Sequence, residues 1–279
     1  MKDINLKYKK KLWEIYREPD FICKPRGLKI TEKLNNSWII DMDDPIITIP
    51  ERKLSYSFMF GEAAWMLEGR NDVESVSKYV DGVKRFSDDG VTFFGAYGPK
   101  IITQTSYVVD TLIKDNDSRQ AVLNIWRENP RSSKDIPCTL SLQFFLRKTS
   151  DDLWLHTIAT MRSNDIWLGT PYDSFNFSAI SFYLVLLLNS RGIKCKLGKL
   201  NIQAGSRHLY ESDFKKVDRV LLSKEIEDFP KFSFNNLIDI YKDQPEQFIP
   251  TLERAANSGY KVKYEVLQKP SKNHKPGIM

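Results

Sequence analysis

Short stretches of this chain carry residue types that can do chemistry. Cys138 follows Pro137 and stands just before a strand-like run that begins near Leu140. A cysteine at the mouth of a strand can be a nucleophile where nearby cations stabilise its thiolate, although a small buried apolar residue is the commoner fate of a single cysteine. Arg162-Ser163-Asn164-Asp165 closes a hydrophobic strand, and Gly169-Thr170-Pro171 follows. Such a cluster can hold a ligand, or make a turn with an Asx or Ser cap. His208, one of three histidines, precedes Tyr210 after a further strand; alone it is more often structural than catalytic. Glu62 lies in an apolar run with Phe60, Ala63, Ala64 and Trp65. Its carboxylate is either buried and paired or placed at a cleft edge with a raised pKa. Asp117-Ser118-Arg119 reads equally as a helix-ending turn.

The elements that must position these residues follow from periodicity. Ile4, Tyr8, Leu12 and Ile15 predict an amphipathic helix. Pro25-Arg26-Gly27 predicts a turn, and Ser37 to Pro50 a β-like stretch broken by Pro45 and Pro50. Phe58 to Leu67 and Thr105 to Lys114 predict helices, the second capped by Thr105 or Ser106. Ala121 to Trp126, Leu140 to Leu146, Leu153 to Met161 and Lys196 to Gln203 predict strands. Ser174 to Asn189 predicts a long buried helix. After Asp213 the pattern weakens, and Pro270 to Met279 reads as a mobile arm. Strands and helices mix without regular βαβ alternation, which predicts one α+β domain over residues 1–279.

Composition narrows the function classes. With 279 residues, 41% of them hydrophobic, the chain can bury a sizeable core. The longest strongly apolar run, Ala179 to Leu188, is half of what a membrane span needs, roughly 20 residues. No signal-peptide core follows Met1. Three cysteines without framework spacing argue against disulfides and zinc, so a reduced, cytoplasmic, metal-free protein is expected. The net charge of +6 suits an anionic ligand. The basic clusters are scattered with little aromatic interleaving, so no nucleic-acid function is expected.

The order and spacing of the motifs carry more than any one of them. Glu62-x-x-Trp65, Tyr97-Gly98, Asp117-Ser118-Arg119 followed by Trp126, Pro137-Cys138, Gln143-Phe144, Arg162-Ser163-x-Asp165, Leu168-Gly169-x-Pro171 and His208-x-Tyr210 succeed one another. In this set the chain resembles the thymidylate synthase family, and within it the cytidylate hydroxymethylases, over residues 20–213. The resemblance implies an α+β fold with a mixed sheet and surrounding helices, and a homodimer packed through the sheets. It implies that Cys138 adds to C6 of the pyrimidine of a nucleoside monophosphate. C5 then attacks the methylene of 5,10-methylenetetrahydrofolate.

The remaining roles are implied in the same way. Arg162 would hold the phosphate and lower the thiol pKa. Ser163 and Gln143 would touch the nucleotide, Arg26 would add a phosphate contact, and Arg119 would reach the phosphate in the neighbouring subunit. His208 and Tyr210 would bind the sugar 3′-hydroxyl. Glu62 would organise proton transfers and water, and Tyr97 would help remove the C5 proton. Asp165 and Gly169 would meet the pterin, and Arg52 and Lys53 the glutamate tail of the folate.

Departures from the pattern are informative. Asp173 stands where synthases have asparagine. A carboxyl there suits the N4 donor and N3 acceptor of cytosine, which points to CMP or dCMP as substrate; alternatively Asp173 caps the helix from Ser174. Tyr79 to Phe94 lacks the tryptophans of the synthase folate site, in keeping with water, not hydride, meeting the exocyclic methylene. Gln120 replaces a second phosphate arginine, which Arg127 could supply, and Thr139 replaces the common histidine. The C-terminal Lys275 to Met279 could close over the site. The alternatives are a synthase methylating dUMP and a non-catalytic nucleotide- or RNA-binding relative.

Overall fold

The residues Ile4, Tyr8, Leu12 and Ile15 line the buried face of α1 (Asp3–Arg17), as their spacing predicts. The structure, a computed structural model, describes residues 3–224, 232–258 and 263–270. The expected closing tail lies outside them.

After α1 come β1 (Phe21–Cys23) and β2 (Ile30–Asp41). β2 starts seven residues before the expected stretch because buried Thr31 and Asn36 are polar while exposed Leu34 is apolar, which hides the alternation, and it ends before Pro45. Then follow α2 (Tyr56–Leu67), α3 (Val73–Ser77) and α4 (Gly98–Lys114). The expected cap at Thr105 or Ser106 is not the start of α4. Pro99 sits in its first turn, where a missing N–H costs nothing. The Thr103 and Thr105 hydroxyls instead bond back to the carbonyls of Pro99 and Ile101, each at 2.8 Å.

The next elements are β3 (Val122–Asn124), β4 (Thr139–Thr149), β5 (Asp152–Asp165), α5 (Thr170–Ser190) and β6 (Lys196–Tyr210). The weakly patterned C-terminal region still forms α6 (Phe214–Leu222), α7 (Ile238–Tyr241), α8 (Phe248–Ala256) and α9 (Lys263–Leu267). Helix α5 is apolar nearly all round and buried along its length, as its lack of amphipathicity predicts. Phe175 and Phe182 pack it on Phe60, Phe232, Phe234 and Phe248, with ring centroids 4.6 to 6.1 Å apart.

The strands form one mixed six-stranded sheet in the order β1-β2-β6-β5-β4-β3. All neighbours are antiparallel except β5 and β6, which are parallel and joined through α5. The architecture is α+β. That single parallel pair, set at the centre of the sheet, positions the candidate site.

Candidate active site

The β4–β5 hairpin brings Cys138 beside Arg162. Thr139 pairs with Met161 across a bulge, and the Arg162 amide donates to the Cys138 carbonyl at 2.9 Å. The Arg162 guanidinium then folds over the Cys138 loop. Its Nε donates to the Pro137 carbonyl at 2.9 Å and its Nη2 to the Ile136 carbonyl at 3.0 Å. The same Nη2 lies 3.8 Å from Cys138 Sγ. Burial pushes the Cys138 thiol up from its ordinary value, and the Arg162 charge opposes that rise. The expected lowering by Arg162 is present, but burial outweighs it.

The charges of Asp173, Asp135 and Asp165 also act on this thiol, and each raises its pKa further. Asp173 lies inside the first turn of α5, behind Gly169 at the cap position. The capping alternative is therefore set aside: the Asp173 carboxyl makes no cap bond, and its Oδ2 accepts from Asn164 Nδ2 at 2.8 Å. Burial, with the neighbouring Glu62 charge, pushes the Asp173 carboxyl up to about 8. Glu62, on α2, accepts from Asn176 Nδ2 at 2.6 Å, and burial pushes it up to about 7. Two buried carboxyls whose charges act on one another cannot both ionise cheaply. The Tyr97 hydroxyl accepts from the Thr139 amide at 3.2 Å. Burial raises its pKa, and the Cys138 and Asp173 charges add to the rise.

The parallel register sets Ser163, Asn164 and Asp165 of β5 beside Ser206, Arg207 and His208 of β6. These residues lie within the strands, not after them as the shorter predicted strands imply. Asp165 Oδ1 accepts from the amides of Trp167 and Leu168 at 2.8 and 3.0 Å, which fixes its carboxyl at the entrance to α5. Burial raises the Asp165 carboxyl and lowers the His208 imidazole, each opposed by the charge of the other. His208 Nδ1 and Asn176 Oδ1 are buried without a hydrogen-bond partner among the described residues, the kind of orphaned group a ligand satisfies. The Tyr210 ring stands edge-on to His208 at 5.2 Å, and its hydroxyl accepts from Arg26 Nη2 at 3.3 Å. Arg26 holds the left-handed backbone (φ 54°) that a non-glycine residue adopts at a cost, which fixes its side chain over this edge.

The other expected residues lie apart. Gln143 Nε2 donates to the Arg119 carbonyl at 2.9 Å. Arg119 is exposed, and no hydrogen bond joins the pair to the Cys138 cluster among the described residues. Lys53 is exposed in left-handed backbone. Arg52 departs from the picture of a free cation for a folate tail. It is 6% exposed, donates to the Trp167 carbonyl and to Tyr8 Oη, and lies 4.1 Å over the Trp167 ring. Arg127 is held on Phe94, whose carbonyl it bonds and whose ring it covers at 4.0 Å, so it does not stand in for Gln120 here. Among the described residues no cluster of three metal-ligating side chains occurs, and no helix is long and apolar enough to cross a membrane.

The sequence reading missed three members of this network. Asn176 lies one turn beyond Asp173 on α5, a spacing that could have flagged it. Asn164 was visible inside the motif but had no role. Arg207 gave no signal, because a charged residue next to a motif histidine reads as exposed.

A family model described as thymidylate synthase matches residues 7–254. A deoxyuridylate hydroxymethyltransferase of Pseudomonas phage M6 is 34% identical over 176 residues, 60% of this chain and 48% of that protein. The enzyme of the same name from Bacillus phage SP01 is 29% identical over 224 residues, 72% of this chain and 55% of that protein. A thymidylate synthase of Streptococcus mutans is 19% identical over 214 residues, 73% of this chain and 74% of that protein. The chain spans about half the length of the phage relatives it matches. With the family model covering most of its length, the chain belongs to the thymidylate synthase family.

Proposed function

We propose that this protein is a pyrimidine nucleotide C5-hydroxymethyltransferase acting on a cytidylate, CMP or dCMP. The observation that carries the reading is the Cys138 thiol 3.8 Å from the Arg162 guanidinium and within reach of the Asp173 charge, with Glu62 in turn acting on Asp173. A thiol beside a guanidinium supplies a nucleophile for C6. Addition makes C5 a carbon nucleophile. Glu62, with a carboxyl poised near 7, moves protons and holds water at the base. Tyr97 takes part in removing the C5 proton. Arg162 and Arg26 bind the phosphate, helped by Ser163, Gln143 and the Arg119 of a second copy in a homodimer. His208 and Tyr210 bind the sugar.

The co-substrate 5,10-methylenetetrahydrofolate supplies the one-carbon unit at formaldehyde level. Asp165 fits the pterin: its carboxyl is locked by two amide bonds on one oxygen, and it is an acceptor for ring N–H groups. Gly169 lines the same entrance, while Lys53 stays available for an anionic tail. Water completes the product, so nucleotide, methylenetetrahydrofolate and water give the hydroxymethyl nucleotide and tetrahydrofolate.

Asp173 supports cytosine. A neutral carboxyl donates to N3 and accepts from N4, as in a base pair. The phage relatives favour a second reading, deoxyuridylate, because that substrate is in their names. The test is incubation with methylenetetrahydrofolate and CMP, dCMP, UMP or dUMP, read by nucleotide mass. A hydroxymethyl adduct on a cytidylate supports the proposal. The adduct on dUMP supports the second reading. A methyl adduct with dihydrofolate means a synthase.

A further inference from the structure

Arg207 is 0% exposed and sits at the centre of the sheet, directly opposite Asn164 in the parallel β5–β6 register. Its Nη1 donates to Asn164 Oδ1 and, at 3.0 Å, to Thr170 Oγ1. Its Nη2 donates to the Ile202 carbonyl at 3.0 Å. A guanidinium has only donors, so the Asn164 atom facing it must be the carbonyl oxygen. The amide is planar, so its amino group turns away from the guanidinium, with one N–H donating to Asp173 Oδ2 at 2.8 Å and the other facing Met161 Sδ at 3.5 Å. Thr170 Oγ1 reinforces this orientation by donating to the same Asn164 oxygen at 2.5 Å. Gly169 packs on the far side: a Cβ there would stand 3.1 Å from Asp173 Oδ2. Oδ2 is thus committed as an acceptor, while Asp173 Oδ1 has no hydrogen bond from the described residues.

We infer that Arg207 is a specificity-positioning residue, which acts through Asn164 to fix Asp173 Oδ2 as an acceptor and so decides which pyrimidine edge the Asp173 carboxyl can pair with. The inference rests on the reading of Asp173 as the base-facing group. A neutral carboxyl free to carry its proton on either oxygen is ambidextrous. It can donate to N3 and accept from N4 of cytosine, or donate to O4 and accept from N3–H of uracil. With Oδ2 held as acceptor, any proton must reside on Oδ1. For a base fixed by its bond to Cys138, only one of the two pyrimidines then meets donor with acceptor at both atoms. The other meets donor with donor and acceptor with acceptor, which desolvates polar groups without partners. Burying an arginine has a large desolvation cost, visible in its pKa, lowered to about 10, and a packing role alone is filled more stably by an apolar side chain.

The test compares kcat/KM for dCMP and dUMP, each with methylenetetrahydrofolate, in the whole protein and its variants. Arg207→Met releases the Asn164 amide, and the ratio between the two bases is expected to fall about tenfold or more. Arg207→Lys, which keeps a donor-only cation, is expected to retain most of the ratio. Asn164→Leu leaves the buried charge in place and is expected to lose the ratio as Arg207→Met does. Rates on both bases falling by one common factor in Arg207→Met and Asn164→Leu would overturn the inference, because a purely structural role moves both alike. Asp173→Asn separates the two levels. If it changes the ratio while the Arg207 and Asn164 variants do not, the positioning inference fails and the base reading stands. If it leaves the ratio unchanged, the base reading fails and the inference with it.

Discussion

Arg162 Nη2 lies 3.8 Å from Cys138 Sγ and also donates to the Ile136 carbonyl, while Nε of the same guanidinium donates to the Pro137 carbonyl. One side chain therefore both shapes the loop that presents the thiol and opposes the rise that burial imposes on its pKa. Removing the charge in Arg162→Gln leaves burial unopposed. The alkylation rate of Cys138 by iodoacetamide is expected to fall about tenfold at pH 8, its pH profile moving upward. An unmoved profile would show that the arginine is only a loop staple.

Cys138→Ala is expected to lower turnover by at least about a thousandfold, the scale of losing a covalent nucleophile. Nucleotide affinity, measured by calorimetry, is expected to change little, since the residues proposed to bind phosphate and sugar remain. Product formation in that variant would place the nucleophile elsewhere.

Glu62 combines burial with one polar partner among the described residues, Asn176. With its carboxyl near 7, it changes protonation in the working range. The rate–pH profile is expected to show a limb near pH 7 that disappears in Glu62→Gln, together with a loss of about a hundredfold or more in kcat. Persistence of the limb in the variant would assign it to another group.

Asp173 links stability to pH. Folded, its carboxyl titrates at about 8, against an ordinary value of 3.8. Between those values the folded chain holds a proton that the unfolded chain releases, so stability falls as pH rises through this window and the loss is complete above about 8. Asp173→Asn cannot ionise and escapes the penalty. Its melting temperature relative to the parent is expected to be higher at pH 9 than at pH 5, on a scale of about 1.4 kcal/mol per unit of pKa shift at most. A difference independent of pH would contradict the burial of this carboxyl.

Arg52 is built into the core against Tyr8 and Trp167. Arg52→Ala is expected to destabilise the fold by about 2–4 kcal/mol in denaturant melts, by leaving the Trp167 carbonyl unpaired. A variant of unchanged stability but weakened folate affinity would restore the role that the sequence suggested for this residue.

Much of this was legible in the sequence, because local periodicity and short motifs are local properties. The spacing of Ile4, Tyr8, Leu12 and Ile15, the alternation from Leu153 to Met161 and the largely apolar run of α5 each determine an element through their own side chains. The order and spacing of the motifs, with Cys138, Arg162 and His208 among them, carried the resemblance to the family that the family model shows. Tertiary structure decided the rest. Whether Arg52 is a free cation or a core residue depends on Trp167, 115 residues away. The parallel pairing of β5 with β6 is a contact across α5, and no residue within either strand announces it. That pairing sets Arg207 opposite Asn164 and turns Asn164 toward Asp173. A hydrogen bond is decided by which atoms meet, and the strand register, not the local sequence, decides that.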